Sequence, residues 1–147
     1  MTKKKVQIEF GLPEHGWLPV DLRHGDFELN FVTSDVPVNP IDQLISGIRQ
    51  ITKGIKAEVW WHLEPEEYYF DFDMKGAEYN LRIFFVKNER AEKELIYETQ
   101  GEYEDIVMPF YRPIKNFLTR TIEEPHWPKT DRNEIEKLTE TVRGRGR

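Results

Sequence analysis

Four histidines and several paired carboxylates are the side chains with which this sequence could do chemistry. His62 is the best placed. It lies in Glu58-Val-Trp-Trp-His-Leu-Glu64, where alternation puts it on one side with Glu58 and Trp60, and Glu64 follows at the strand's end. A histidine beside a carboxylate can act as a general base or bind a metal. One His and one Glu at i, i+2 fall short of a metal's ligand set, and nothing in the spacing recruits Asp71 or His24 as a third. A surface histidine is the simpler reading. His24 and Asp26, either side of Gly25, read as a polar hairpin turn. His15 sits in another turn and His126 in a Pro-flanked loop.

The carboxylates pair at Glu66-Glu67, Asp71/Asp73, Glu102/Glu104/Asp105 and Glu123-Glu124. Two acids serve glycoside hydrolysis when they flank a cleft and one has a raised pKa. On a flat, solvated strand face nothing would raise a pKa, so these acids read as surface charge. There is no Gly-rich phosphate loop, dinucleotide fingerprint, His-Glu-x-x-His or nucleophile elbow. With no cysteine, disulfides, thiolate zinc sites and a catalytic thiol are excluded. The expectation is a protein without catalytic residues, metal or cofactor. An enzyme or metal-binding protein using His62 and Glu64 is the alternative.

The elements that position these residues follow from periodicity. Val6, Ile8 and Phe10 alternate with polar residues, and Trp17–Leu22 and Asp26–Thr33 read as two further strands about Gly25. Asn39 as N-cap, Pro40 at N1 and Asp42 in the first turn begin a helix over 40–53, with Ile41, Leu44, Ile45, Ile48 and Ile51 as its apolar stripe. Four strands follow: Ile55–Leu63, Glu66–Met74, Ala77–Lys87 and Glu94–Tyr103. Residues 105–122 return to helical spacing, with Pro109 and Pro113 dividing the run: a helix starts near Tyr111 with Pro113 at N1, or the run bends. Asp131 and Glu134 begin an optional last helix before the Arg143-Gly-Arg-Gly-Arg147 tail.

The order β-β-β-α-β-β-β-β-α predicts an α+β fold: an antiparallel β-sheet with two helices on one face and a short C-terminal helix as an extra. Residues 1–122 read as one domain, and 123–147 as a loop, the short helix and a flexible basic tail. The inner face collects Ala57, Val59 and Trp61, Phe70 and Phe72, Leu81 and Ile83, and Leu95 and Tyr97. The outer face collects Glu58, Trp60, Glu67, Tyr69, Asp71, Asp73, Asn80, Arg82, Phe84, Ile96 and Glu98.

The charge supports this division. The chain carries −6 overall, yet residues 58–105 alone hold 14 acids and five bases. Such a field repels nucleic acid and anionic membrane and attracts a basic partner. No run approaches the roughly 20 apolar residues of a membrane span. The basic N-terminus lacks the apolar core of a signal peptide, so the expected location is cytoplasmic. Large apolar side chains among the outer acids, Trp60, Tyr69, Phe84 and Ile96, read either as a binding patch, because aromatics dominate interface hot spots, or as a second, minor core covered by another element. Glu58, Glu67, Asp71, Asp73 and Glu98 would steer a basic protein onto such a patch. A homodimer or larger homo-oligomer with paired outer faces is a further alternative.

Two stretches carry a likeness. Asn39-Pro40-Ile41-Asp42-Gln43-Leu44-Ile45, followed by Val59-Trp60-Trp61-His62-Leu63-Glu64-Pro65-Glu66-Glu67-Tyr68, resembles a group of small uncharacterised bacterial proteins. That group is similar to the immunity proteins of polymorphic toxin systems in size, acidity and α+β layout. The likeness spans about residues 16–120, with Asn39 where an acid is common. Its motifs are helix-start and turn chemistry, so it implies a fold and a toxin-domain partner but transfers no catalytic residue.

Overall fold

The computed structural model describes residues 5–123 and 125–145. Its seven strands and helices follow the expected order: β1 (Gln7–Phe10), β2 (Trp17–His24), β3 (Phe27–Ser34), α1 (Pro40–Thr52), β4 (Ala57–His62), β5 (Glu67–Lys75), β6 (Glu78–Val86) and β7 (Glu94–Gly101). Then come α2 (Tyr103–Ile106), a 3₁₀ turn at Met108–Phe110, α3 (Tyr111–Leu118) and α4 (Arg132–Arg143). The class is α+β. The strands divide between two antiparallel sheets, β1-β2-β3 and β4-β5-β6-β7.

Local chemistry explains the elements. Asn39 caps α1 by accepting from the Ile41 N–H at 3.0 Å, and Pro40 needs no partner at the first position. Gly47 lets the helix lie close on β4: a Cβ there would stand 3.0 Å from Val59. The 105–122 run breaks as its prolines require. Pro113 is the third residue of α3 rather than the first, still within the turn whose N–H groups need no helical partner.

The core lies between the second sheet, the helices and the first sheet. Trp61, Phe70, Phe72, Leu81 and Ile83 are buried on one side of the second sheet. Phe31 of β3 packs its ring against Trp61, Tyr68 and Phe70, and Phe27 stacks on Tyr97 at 4.0 Å. Phe110 and Tyr103 close the other end through Phe72 and Tyr79. The chain after residue 122 is packed too. Trp127 is 2% exposed and meets Phe117 edge-on, and Leu138 and Val142 of α4 are buried. Arg49–Glu134 and Thr130–Asp42 join this segment to α1. Arg145 lies over the Tyr103 ring at 3.9 Å and beside Glu104. The rest of the basic tail, Gly146 and Arg147, lies outside the described residues, as do Lys3 and Lys4 at the other end.

No helix among the described residues is long and apolar enough to cross a membrane.

Candidate functional site

The outer side of the second sheet is built by register. Trp60 pairs with Tyr69, Tyr69 with Phe84 and Phe84 with Leu95, so one apolar row crosses all four strands. Beside it runs a charged row, Glu58, Asp71, Arg82 and Glu98, each opposite the next. His62 and Glu67 flank the apolar row on its other side. Trp60, Tyr69 and Phe84 are each partly exposed. The helices and the first sheet pack on the opposite side, against Ala57, Val59, Trp61, Phe70 and Phe72.

Two placements on this face differ from the sequence pattern. A β-bulge in β7 sets Tyr97 opposite Ile83 but Leu95 opposite Phe84, leaving Ile96 as the extra residue. Leu95 therefore turns outward and is 49% exposed, while Ile96 packs against the core. Alternation assigns them the other way round. Asn80 is 4% exposed rather than solvated, and its amide is satisfied there by donating to Asp73 at 2.7 Å.

The acids are internally organised. Arg82 donates from Nε to Glu98 at 2.6 Å and from Nη1 to Asp73 at 2.7 Å. Burial pushes Asp73 upward, but the hydrogen bonds from Asn80 and Arg82 outweigh it and hold the carboxyl below its ordinary value. Tyr69 donates its hydroxyl to Glu67 at 3.1 Å. Burial, that hydrogen bond and the surrounding carboxylates push its phenol up to about 12. Asp71 behaves differently. Its Oδ1 is shielded from solvent and meets no donor among the described residues, and burial together with the facing Glu58 carboxyl pushes its pKa up to about 6. The expectation that nothing on this face raises a carboxyl pKa is corrected here. The strand partner Glu58, rather than the sequence neighbour Asp73, forms the interacting pair.

His62 stands between two carboxylates, with Nδ1 3.5 Å from Glu67 and Nε2 3.9 Å from Glu64. Its ring lies 5.2 Å from that of Trp60. Neither approach makes a well-formed hydrogen bond. Among the described residues no group of three or more His, Asp or Glu side chains could hold a metal ion. His24 Nδ1 lies 2.6 Å from the Tyr97 hydroxyl.

Sequence reasoning missed two contributors. Gln43 of α1 brackets the outer edge of β4: its carbonyl accepts from the Trp60 N–H at 3.2 Å and its amide donates to the Trp60 carbonyl at 3.4 Å. This side chain thus satisfies the backbone of an edge strand and fixes Trp60 on the face. The second is Lys93, from the linker 87–93. Its Nζ lies 4.0 Å from the Tyr69 ring centre, 5.7 Å from that of Phe84 and 2.9 Å from Glu58 Oε2. Gln43 falls off the apolar stripe of α1, and Lys93 sits in a charged connector, so neither carried a motif.

The geometry offers an aromatic platform rimmed by carboxylates, suited to docking a cationic surface. Comparison of the chain with family models, curated proteins and solved structures finds no match.

Proposed function

We propose that this chain is a non-enzymatic binding protein of the bacterial cytosol that neutralises a basic toxin domain through the outer face of its second sheet. The observation that carries this reading is the row Trp60, Tyr69, Phe84 and Leu95, its three rings partly exposed and Leu95 49% exposed, lined by Glu58, Asp71, Glu98 and Glu67. Anchoring rings with a charged rim are the usual anatomy of a tight interface. The acidity of residues 58–105 accelerates the arrival of a basic partner. Many toxin domains are nucleases with basic clefts, and an acidic plate competes there with nucleic acid. The resemblance to immunity proteins points the same way.

The test is co-expression with the toxin domain encoded beside this chain in its genome, read by growth protection and by association kinetics. Wild type should protect. Tyr69→Ala and Phe84→Ala should each weaken binding by about tenfold or more, as central aromatic anchors do. Raising salt should slow association. A genome without such a neighbour, a neighbour that does not bind, or full affinity in both variants overturns the reading.

A further inference from the structure

We propose that Lys93 occupies a subsite built for a lysine or arginine side chain of the partner, and that it must leave before the partner's cation can bind. This rests on the docking face argued above and names the chemistry at its centre. Lys93 Nζ is held by the Tyr69 face, the Phe84 ring and Glu58 Oε2. A cation over an aromatic ring with a carboxylate at its side is a recognised ammonium site, and a guanidinium satisfies the same three groups by stacking on the ring and pairing with the carboxylate.

The contact is not a consequence of strand geometry. Lys93 immediately precedes β7, and Glu58 lies on β4 at the other edge of the sheet. Three strand spacings of about 4.8 Å separate the two strands, so the lysine and glutamate side chains must both extend across the face, over Tyr69 and Phe84, to meet.

The seat is also easily given up. The side chains of Lys93 and Glu58 remain 41% and 48% exposed. Neighbouring linker residues 87–90 and Glu92 are exposed as well. The backbone hydrogen bond from Ala91 to Asn88 and the Asn88 side-chain bond to the Arg90 N–H lie within the linker itself. An ion pair this exposed favours its closed form by about fivefold, and a competing cation pays that factor in apparent affinity.

The experiment uses the full chain and three blocked tripeptides, acetyl-Gly-Lys-Gly-amide and its Arg and Glu analogues. Binding is followed by NMR of the Tyr69 and Phe84 ring signals. Lys93→Ala is compared with Lys87→Ala, which makes the same charge change in the same linker without emptying the rings. The Lys and Arg peptides should shift both rings, with about fivefold tighter apparent binding to Lys93→Ala than to Lys87→Ala, and the Glu peptide should shift neither. Equal affinities in the two variants would show that Lys93 does not compete, and would overturn the inference while leaving the docking face intact. No ring shift in Lys93→Ala would overturn the cation subsite itself. The toxin-domain experiment tests the docking face separately.

Discussion

Glu58 and Asp71 stand directly opposite one another on β4 and β5, two carboxyls at the centre of the outer face. Arg82, the next residue in the same row, is turned away to Asp73 and Glu98. Lys93 pairs with Glu58 in the free protein. Among the described residues Asp71 is thus the carboxyl of this row without a direct ion-pair partner, and half-burial beside Glu58 lifts its pKa to about 6. The arrangement that concentrates negative charge on this face also places a destabilising repulsion in the folded protein.

A pH signature follows from that pair. Asp71 binds its proton more tightly in the folded chain than in the unfolded one, where the carboxyl titrates near 3.8. The folded state holds the extra proton between about pH 4 and pH 6, so this group's contribution to stability falls as pH rises through that window. Asp71→Asn removes the titration. It should stabilise the protein by about 1 kcal/mol at pH 7.5, after allowance for solvent screening of a half-exposed group, and by much less at pH 4. Urea denaturation at both pH values checks this. A gain independent of pH, or a loss at pH 7.5, contradicts the pairing.

Trp60 and Trp61 are sequence neighbours on opposite sides of β4. Trp61 is fully buried against Phe31 and Phe70, whereas Trp60 lies on the outer row. Trp61→Ala should cost about 3–5 kcal/mol, the usual penalty for emptying an aromatic site in a core. Trp60→Ala should cost less, about 1–2 kcal/mol at a partly buried site, yet impair partner binding more than any stability loss explains. Thermal melts paired with binding measurements separate the two. Equal destabilisation would mean that the outer face is a second core.

Much of this was legible in the residues. Asn39-Pro40 and the isoleucine stripe define α1, and alternation through β4, β5 and β6 sorts inner from outer side chains correctly at Trp60, Trp61, Tyr69, Phe70 and Phe84. Periodicity fails where the ladder gains a residue. At Ile96 the bulge exchanges the facing of Leu95 and Ile96, and a period-two pattern carries no sign of it. The division into two sheets was equally hidden, because hairpin signals fix neighbours but not whether β3 continues into β4. The Glu58–Asp71 coupling depends on cross-strand register, which spacing along one strand does not contain. Lys93 reaches its rings through a connector whose path no local rule sets.

Gln43 protects the outer edge of β4 by bonding both backbone groups of Trp60. Gln43→Ala should lower stability by about 1–2 kcal/mol, since two backbone groups lose partners at a partly covered edge. It should also expose a strand edge able to pair with a second molecule. Concentration-dependent light scattering and thermal melts measure both effects. Gln43→Glu keeps the acceptor for the Trp60 N–H and loses the donor, so it should fall between wild type and Gln43→Ala. A monomeric Gln43→Ala protein of unchanged stability would show that the bracket has no structural role.

Arg82 joins β5 to β7 by holding Asp73 and Glu98 at once. Its hydrogen bonds overcome the effect of burial and keep Asp73 below its ordinary pKa of 3.8. For a carboxyl lowered in the folded state, the stabilisation is present at neutral pH and disappears as pH falls through the folded pKa. Arg82→Met keeps the apolar stem and removes the guanidinium. It should destabilise by about 1 kcal/mol at pH 7, a modest value because the groups are partly solvated, and the deficit should shrink in acid as the Asp73 carboxyl takes up its proton. The Asp73 carboxyl signal, followed by NMR, should titrate at higher pH in the variant than in wild type. An unchanged Asp73 titration, or a deficit that persists in acid, would mean that Arg82 contributes through packing of its stem rather than through the two carboxylates it bridges.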